Sequence, residues 1–414
     1  MKSTRRDFVK LSALSTLALA VKSESAAAGQ DVPSMPNAKQ GKPISREEFL
    51  QRQETARRYM KEAGIDAVFL TGGSSLSYFT GTQWGLSERL FALVFPAAGE
   101  PVWVVPAFEK GRALEQIKFG ADIRTWEEDE SPYQLVAAAL KDRKIGTGSI
   151  GIEETVRFAF SNGVAKAAPA ARLISADAVT ARCRRVKSAH EIELLRLANK
   201  ITLKAFETAS KSLAEGLSQG EFSGKISAAH QQMGSGGGAL VLFAENAALP
   251  HGTVAPQRLK RGDIVLMDGG CSVQGYQSDI TRTTVFGKPT DRQKHVWAIV
   301  KQAQAAALKT ARPGVACEDV DRAARKVIED AEFGPGYKYF THRVGHGIGM
   351  DGHEWTYLVK GNKTKLEAGM TFSDEPGIYI PGEFGVRLED VMLITENGAE
   401  LLTGQADSIE NPFG

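Results

Sequence analysis

At 414 residues the chain is too long for one ordinary hydrophobic core, which sets an expectation of two domains. Charged residues make up 24% and hydrophobic residues 42%, the balance of an ordinary soluble globular protein. The formal net charge is +2 with no long basic run, which argues against nucleic acid as a partner.

The first segment stands apart. Thr4-Arg5-Arg6-Asp7-Phe8-Val9-Lys10 precedes an apolar run, Leu11 to Val21, and Ala26-Ala27-Ala28 offers small residues for cleavage. Twin arginines ahead of a modest apolar stretch resemble a twin-arginine export signal, in preference to an amphipathic first helix. Residues 1–28 are therefore expected to engage the twin-arginine translocation machinery and to be removed, leaving a periplasmic or otherwise exported protein. The run is too short for a membrane span, so no membrane partner is expected of the mature form. Lys2, Arg5, Arg6, Lys10 and Lys22 stand against Asp7 and Glu24, a leader charge of +3, so the mature chain carries a net charge of about −1.

Residues 29–44, rich in Gly and Pro, read as a linker, with structure starting at Ser45. Ser45 with Glu48 has capping-box spacing and opens a helix to about Glu62. Short apolar runs at 67–70, 91–95 and 102–105 read as strands, and the alternation of strand and helix patterns makes 45–185 an α/β domain. Capping-box spacing returns at Ser188/Glu191 and Ser218/Glu221, opening helices to about Glu215 and Met233. Strands are expected at 239–244, 263–268 and 275–286, helices at 291–311 and 317–331, and strands again at 370–380 and 384–394. This order of two helices followed by strands, twice over, suggests two related halves around one sheet spanning 186–410. Cys183, Cys271 and Cys317 form no CxxC pair and read as buried free thiols.

Acids inside strand-like runs need a reason, because carboxylates are disfavoured in strands and rarely buried alone. Asp268 and Asp279 fall opposite each other if their runs form a hairpin turning at Val273-Gln274. Glu375 and Glu389 do the same if theirs is centred on Gly382. Two facing carboxylate pairs repel unless a proton or cation lies between them. Between the pairs lies Thr341-His342-Arg343-Val344-Gly345-His346-Gly347-Ile348-Gly349, followed by His353. His251 sits in Pro250-His251-Gly252, while His190, His230 and His295 read as ordinary structural residues. Four carboxylates with one imidazole make a hard, oxygen-rich site for two divalent ions, manganese first, with cobalt, iron or zinc as the others, and give no support for a thiolate zinc site. Two such ions can activate a shared water for hydrolysis.

The string from Pro250-His251-Gly252 through Asp268, Asp279-Ile280-Thr281-Arg282-Thr283, Gly345-His346-Gly347-Ile348-Gly349, Glu375-Pro376-Gly377-Ile378-Tyr379 and Arg387-Leu388-Glu389-Asp390 resembles the pita-bread metallopeptidases. These include prolidase and aminopeptidase P, and 45–185 resembles, more weakly, their creatinase-type N-terminal domain. The resemblance implies metal ligands at Asp268, Asp279, His346, Glu375 and Glu389, with Asp279 and Glu389 bridging and Glu375 also acting as general base. It implies that His251 stabilises the intermediate, that His342 and His353 hold substrate and assist proton transfer, and that Arg387 contacts substrate or the carboxylates. Tyr379 and Tyr276 are either donors beside the site or packing. Trp84 and Arg89, in the loop 82–89, are either contacts to substrate across a homodimer or an ordinary surface loop. The expected activity is Xaa-Pro dipeptide hydrolysis on a small peptide substrate. The alternatives are aminopeptidase P action on longer peptides, a metal-using hydrolase or lyase of the same fold acting on a small non-peptide compound, and a non-catalytic peptide-binding relative. The complete ligand set argues against the last.

Overall fold

The computed structural model describes residues 35–414; the leader, 1–28, and residues 29–34 of the expected linker lie outside the described residues. Order begins ahead of Ser45. Asn37 caps a short 3-10 helix, Ala38–Gln40, through a capping box. The Ala38 amide donates to the Met233 carbonyl at 2.9 Å. Gly41 runs so close to Val273 that a Cβ would meet its Cγ1 at 2.4 Å. Residues 37–44 are thus a strap laid on the second half of the chain, and the linker reading does not hold there.

The helix Arg46–Ala63 forms with Ser45 and Glu48 in a reciprocal capping box, and Gly64 ends it at φ 64°. A six-stranded sheet follows, in the spatial order Asp122–Trp126, Val102–Pro106, Ala92–Pro96, Ala67–Thr71, Ser149–Ile152, Arg172–Ser175. Ala92–Pro96 runs antiparallel to both its neighbours, and the other three junctions are parallel. Helices cover both faces, which is why the central strands read as unbroken apolar runs. Alternate residues feed two cores: Val68, Leu70, Leu93, Phe95 and Trp103 on one face, and Ala67, Phe69, Ala92, Val94 and Val104 on the other.

Beyond the helix Thr180–Arg185, the chain enters its second half through Ala189–Ser210 and Gln219–Gln232, each opened by the expected capping box. The strands Gly237–Phe243, Ile264–Val273 and Ile280–Val285 form an antiparallel sheet, with Tyr276–Gln277 extending the hairpin. Helices Asp291–Thr310 and Cys317–Asp330 repeat the order. They lead to a five-stranded sheet arranged as Glu354–Leu358, Gly345–Gly347, Thr371–Asp374, Asp390–Ile394, Ala399–Leu401. The expected repetition of elements is present, but among the described residues it falls into three sheets instead of one: these two, joined through a bridge between Thr281 and Glu389, and the two-stranded hairpin of Gly377–Ile380 with Phe384–Arg387. The three cysteines are buried and free.

The site side chains are aimed by two hairpins. In the first, Gln274 and Gly275 both have positive φ, 51° and 87°, so a two-residue turn pairs Val273 with Tyr276. Asp268 therefore faces Thr281, not Asp279 as the turn at Val273-Gln274 would have it. The offset is two residues, which leaves both acids on one face of the ribbon. The second hairpin has the expected centre. Gly377 pairs with Arg387 and Asp374 with Asp390, which leaves Glu375 and Glu389 opposite each other in the gap between two ladders. Their amides bond elsewhere: Glu375 N–H to the Val344 carbonyl at 2.8 Å, Glu389 N–H to the Thr281 carbonyl at 3.1 Å. Those two bonds draw the histidine segment and the first hairpin onto the second.

Candidate active site

One cavity of about 260 Å³ is lined by Pro250, His251, Asp268, Asp279, His342, Arg343, His346, His353, Glu375, Arg387 and Glu389. All five expected ligands, the three other histidines and Arg387 thus meet in one place, although they come from segments spread over 139 positions of sequence from His251 to Glu389. Ligand atoms of Asp268, Asp279 and Glu389 lie within 4.8 Å of one another, as do those of His346, Glu375 and Glu389. Glu389 belongs to both groups. A third group joins Asp279 and His346 to His353, whose ring stacks on that of His346 with centroids 3.7 Å apart.

The histidine tautomers follow from their partners. His346 Nδ1 lies 3.1 Å from the Gly347 carbonyl and must carry the proton that bonds it, so Nε2 presents a lone pair to Glu375 at 3.3 Å and Asp279 at 3.6 Å. His342 Nδ1 likewise donates to the Arg343 carbonyl at 2.8 Å, and its Nε2 accepts from the Tyr379 hydroxyl at 2.7 Å. Burial, with Arg387 nearby, depresses the His342 imidazolium to about 3; burial, with His353 nearby, does the same to His346. Both rings are therefore neutral near pH 7, as a ligand or a proton acceptor must be.

The acids are strained the opposite way. Burial and the neighbouring carboxylates push Asp279 and Glu389 well above the ordinary range, and burial lifts Glu375 to about 8. Arg387 offsets part of this. Its Nη2 donates to Asp268 at 2.6 Å, its Nη1 to the Tyr379 hydroxyl at 2.8 Å, and its Nε to Thr281 Oγ1 at 3.1 Å. One guanidinium cannot balance four clustered carboxylates. Hard oxygen donors, a deprotonated imidazole nitrogen and excess negative charge together fit a pair of divalent cations.

Three residues at the site carried no assignment from sequence. Thr281 donates to Glu389 at 2.6 Å, Ser373 Oγ approaches Glu375 at 3.3 Å and accepts from the His346 amide at 3.0 Å, and Arg343 lines the cavity. Thr281 and Ser373 each stand two positions from an acid, on the same face of a strand, and that spacing was the available signal. Tyr379 is buried and bonded to both His342 and Arg387. Tyr276 is elsewhere, donating to Glu191 and accepting from Arg52 where the two halves meet. Trp84 and Arg89 do not line the cavity. Trp84 is buried, stacked on Phe91 at 3.9 Å with Arg112 over its ring, rather than sitting in an open surface loop. Arg89 is half-buried and paired with Glu88 and Glu128.

Comparison with known proteins agrees with this geometry. Residues 193–396 match the model of metallopeptidase family M24, and residues 52–186 match that of the creatinase/prolidase N-terminal domain. A putative dipeptidase of Bacillus subtilis is 34% identical over 358 residues, covering 86% of this chain and 98% of its own. The Xaa-Pro dipeptidase of Pyrococcus furiosus is 33% identical over 356 residues, covering 85% and 97%. The crystal structure of dipeptidase PepE from Mycobacterium ulcerans superposes with a TM-score of 0.83 at 32% identity, covering 89% of this chain and 99% of that one. With relatives matched along nearly their whole length and every acid of the motif set gathered in one cavity, the chain belongs to metallopeptidase family M24 and carries a creatinase-type domain ahead of its pita-bread catalytic domain.

Proposed function

We propose that this metallopeptidase is an Xaa-Pro dipeptidase of prolidase type, hydrolysing the amide bond before proline in small peptides. The observation that carries the reading is the single cavity in which two overlapping carboxylate groups, four histidines and Arg387 converge. Its volume suits a small ligand, and the relatives named as dipeptidases support the choice of substrate. Asp268, Asp279, His346, Glu375 and Glu389 would hold two divalent ions, manganese in this proposal, with Asp279 and Glu389 shared between them. Bound there, the ions supply Lewis acidity towards the scissile carbonyl and the attacking water.

The chain's own groups do the rest. Glu375, held from two sides by the Val344 carbonyl and Ser373, is placed to take the proton of the attacking water. His251 and His353 face the same cavity and would steady the developing oxyanion and the leaving amine. His342 has one nitrogen committed to a carbonyl, so its proton traffic runs only through Nε2 and the Tyr379 hydroxyl. Arg387 fixes Asp268 and Tyr379 together and so sets the distance between the carboxylates and that histidine.

The test is cleavage of Xaa-Pro dipeptides and Xaa-Pro-Xaa tripeptides by protein stripped of metal and then refilled with manganese. Metal-dependent dipeptide cleavage is expected. Cleavage of tripeptides alone would make it an aminopeptidase P, and no cleavage of either with two ions bound would mean a small non-peptide substrate. Export by the twin-arginine route and a homodimeric mature form belong to the same proposal. N-terminal sequencing of the exported protein should start just after Ala28, and sedimentation should give two chains per particle.

A further inference from the structure

The cavity does not account for a second charged cluster, buried where the N-terminal domain meets the catalytic one. At its centre is Glu354, only 6% exposed, the residue after His353. Four donors converge on its carboxylate: Arg184 Nη2 at 2.5 Å, Lys187 Nζ at 3.1 Å, the Met350 amide at 2.9 Å and the Asp351 amide at 3.2 Å. Arg184, in the last turn of the last helix of the N-terminal domain, also donates to Asp351 at 2.6 Å and to Ser75 at 3.2 Å. Ser74, at the start of a helix in that domain, donates to the other oxygen of Asp351.

The consequence is geometric. His346 and Gly347 lie on one strand, and Glu354 begins the strand beside it, pairing directly with Gly347 across a break in register. The six residues between them turn back on themselves and lay His353 over His346. Nothing on the cavity side holds His353 by a hydrogen bond among the described residues; its ring is exposed on one side. Gln277 and Thr371 hold the start of the turn from two other strands, and Glu354 ties the rest to the domain junction, accepting from two of its amides and from two cations outside it. Gly349 lies so close that a Cβ there would meet the Glu354 carboxylate at 2.7 Å. The turn is therefore closed by its own backbone bonds and, through Glu354, against the N-terminal domain.

We propose that Glu354, clamped by Arg184 and Lys187, is a positioning residue. It sets the place of His353 over the substrate cavity and so makes the N-terminal domain a structural partner in catalysis. The inference rests on the peptidase reading of the cavity above. Replacing the charge while keeping the shape, Glu354→Gln, weakens the hold of both cations and lets the turn relax.

The experiment is a double-mutant cycle of Glu354→Gln with His353→Ala, read as kcat and KM on an Xaa-Pro dipeptide, together with manganese affinity by calorimetry. Imidazole NMR of the metal-free protein is recorded alongside. Glu354→Gln should lower kcat by about tenfold with KM and manganese affinity changed by less than about twofold. In the His353→Ala background it should add less than about twofold, because its effect passes through that ring. The His353 resonances should shift or broaden in metal-free Glu354→Gln. Ser74→Ala, which removes one half-buried hydroxyl and keeps the fold, should move the same resonances less and in the same direction. Independent, multiplicative losses in the cycle, or His353 resonances unmoved in both single variants, would overturn the proposal. A protein inactive on every proline peptide would sink the functional reading instead, and the NMR comparison would still decide the positioning role.

Discussion

Arg387 serves four acceptors with one guanidinium: Asp268, Tyr379, Thr281 and the Pro250 carbonyl. It is buried, and its planar fork is what allows such different partners to be met at once. Tyr379 is the relay between it and His342. Tyr379→Phe should therefore lower kcat by about tenfold or more while leaving two ions bound, measured by kinetics beside metal analysis. Asp279→Ala and Glu389→Ala should each abolish both metal binding and turnover with the fold retained, checked by calorimetry and circular dichroism; near-normal turnover in either would refute the shared-ligand assignment. At this scale the ligands were legible because a carboxylate inside an apolar strand run is an anomaly that asks for a cation. Thr281, Ser373 and Glu354 were not, because a hydroxyl in a strand or an acid after a histidine has many ordinary explanations. The burial of Trp84 was not legible either, because its neighbours Phe91 and Arg112 meet its ring only once the loop is folded.

Hairpin geometry decides which carboxylates meet. The second hairpin was readable because Pro381-Gly382-Glu383 marks its centre unambiguously, with Gly382 at φ 77°. The first was misread by one position in its turn because Gln274, not a glycine, takes the left-handed conformation beside Gly275. The pairing of side chains by face survived because strands repeat every two residues. Short strands such as Gly345–Gly347 escaped the hydrophobic pattern altogether, being mostly glycine. Gly345 is required there: a Cβ would meet the Ser373 carbonyl oxygen at 2.0 Å. Gly345→Ala should cost about 1–3 kcal/mol in urea unfolding, and it should weaken metal binding too, since His346 and Ser373 share that contact. A second element-level prediction concerns Arg282, fully buried and paired with Asp390 at 2.6 Å. Arg282→Ala leaves the acid without its cation and should cost about 3–5 kcal/mol in the same measurement.

Across the whole molecule, buried charge pairs link the two domains. Besides the Glu354 cluster, Arg52 of the first helix pairs with Glu191 at 3.3 Å and donates to Tyr276 at 2.8 Å. None of this was visible in sequence, since the partners are separated by well over a hundred residues. Burial alone would raise Glu354, but Lys187 and Arg184 outweigh it and hold the carboxyl at about 2. The folded state therefore holds fewer protons on this group than the unfolded chain, whose carboxyl titrates near 4.5. Its stabilising contribution is fully present above about pH 4.5 and is lost as the pH falls towards about 2. Urea unfolding of the metal-free protein should show stability falling through that window, with a shallower fall in Glu354→Gln.

Two ions held by Asp268, Asp279, His346, Glu375 and Glu389 are proposed to make this chain a peptidase for proline dipeptides. The most direct measurement is a titration of the metal-stripped protein with manganese, following heat of binding and Xaa-Pro dipeptide cleavage on the same sample. Two equivalents should bind per chain, with cleavage absent at the start and complete only as the second is taken up. Full activity without added metal in a sample shown to be metal-free, or saturation without any cleavage of the dipeptide, would contradict it.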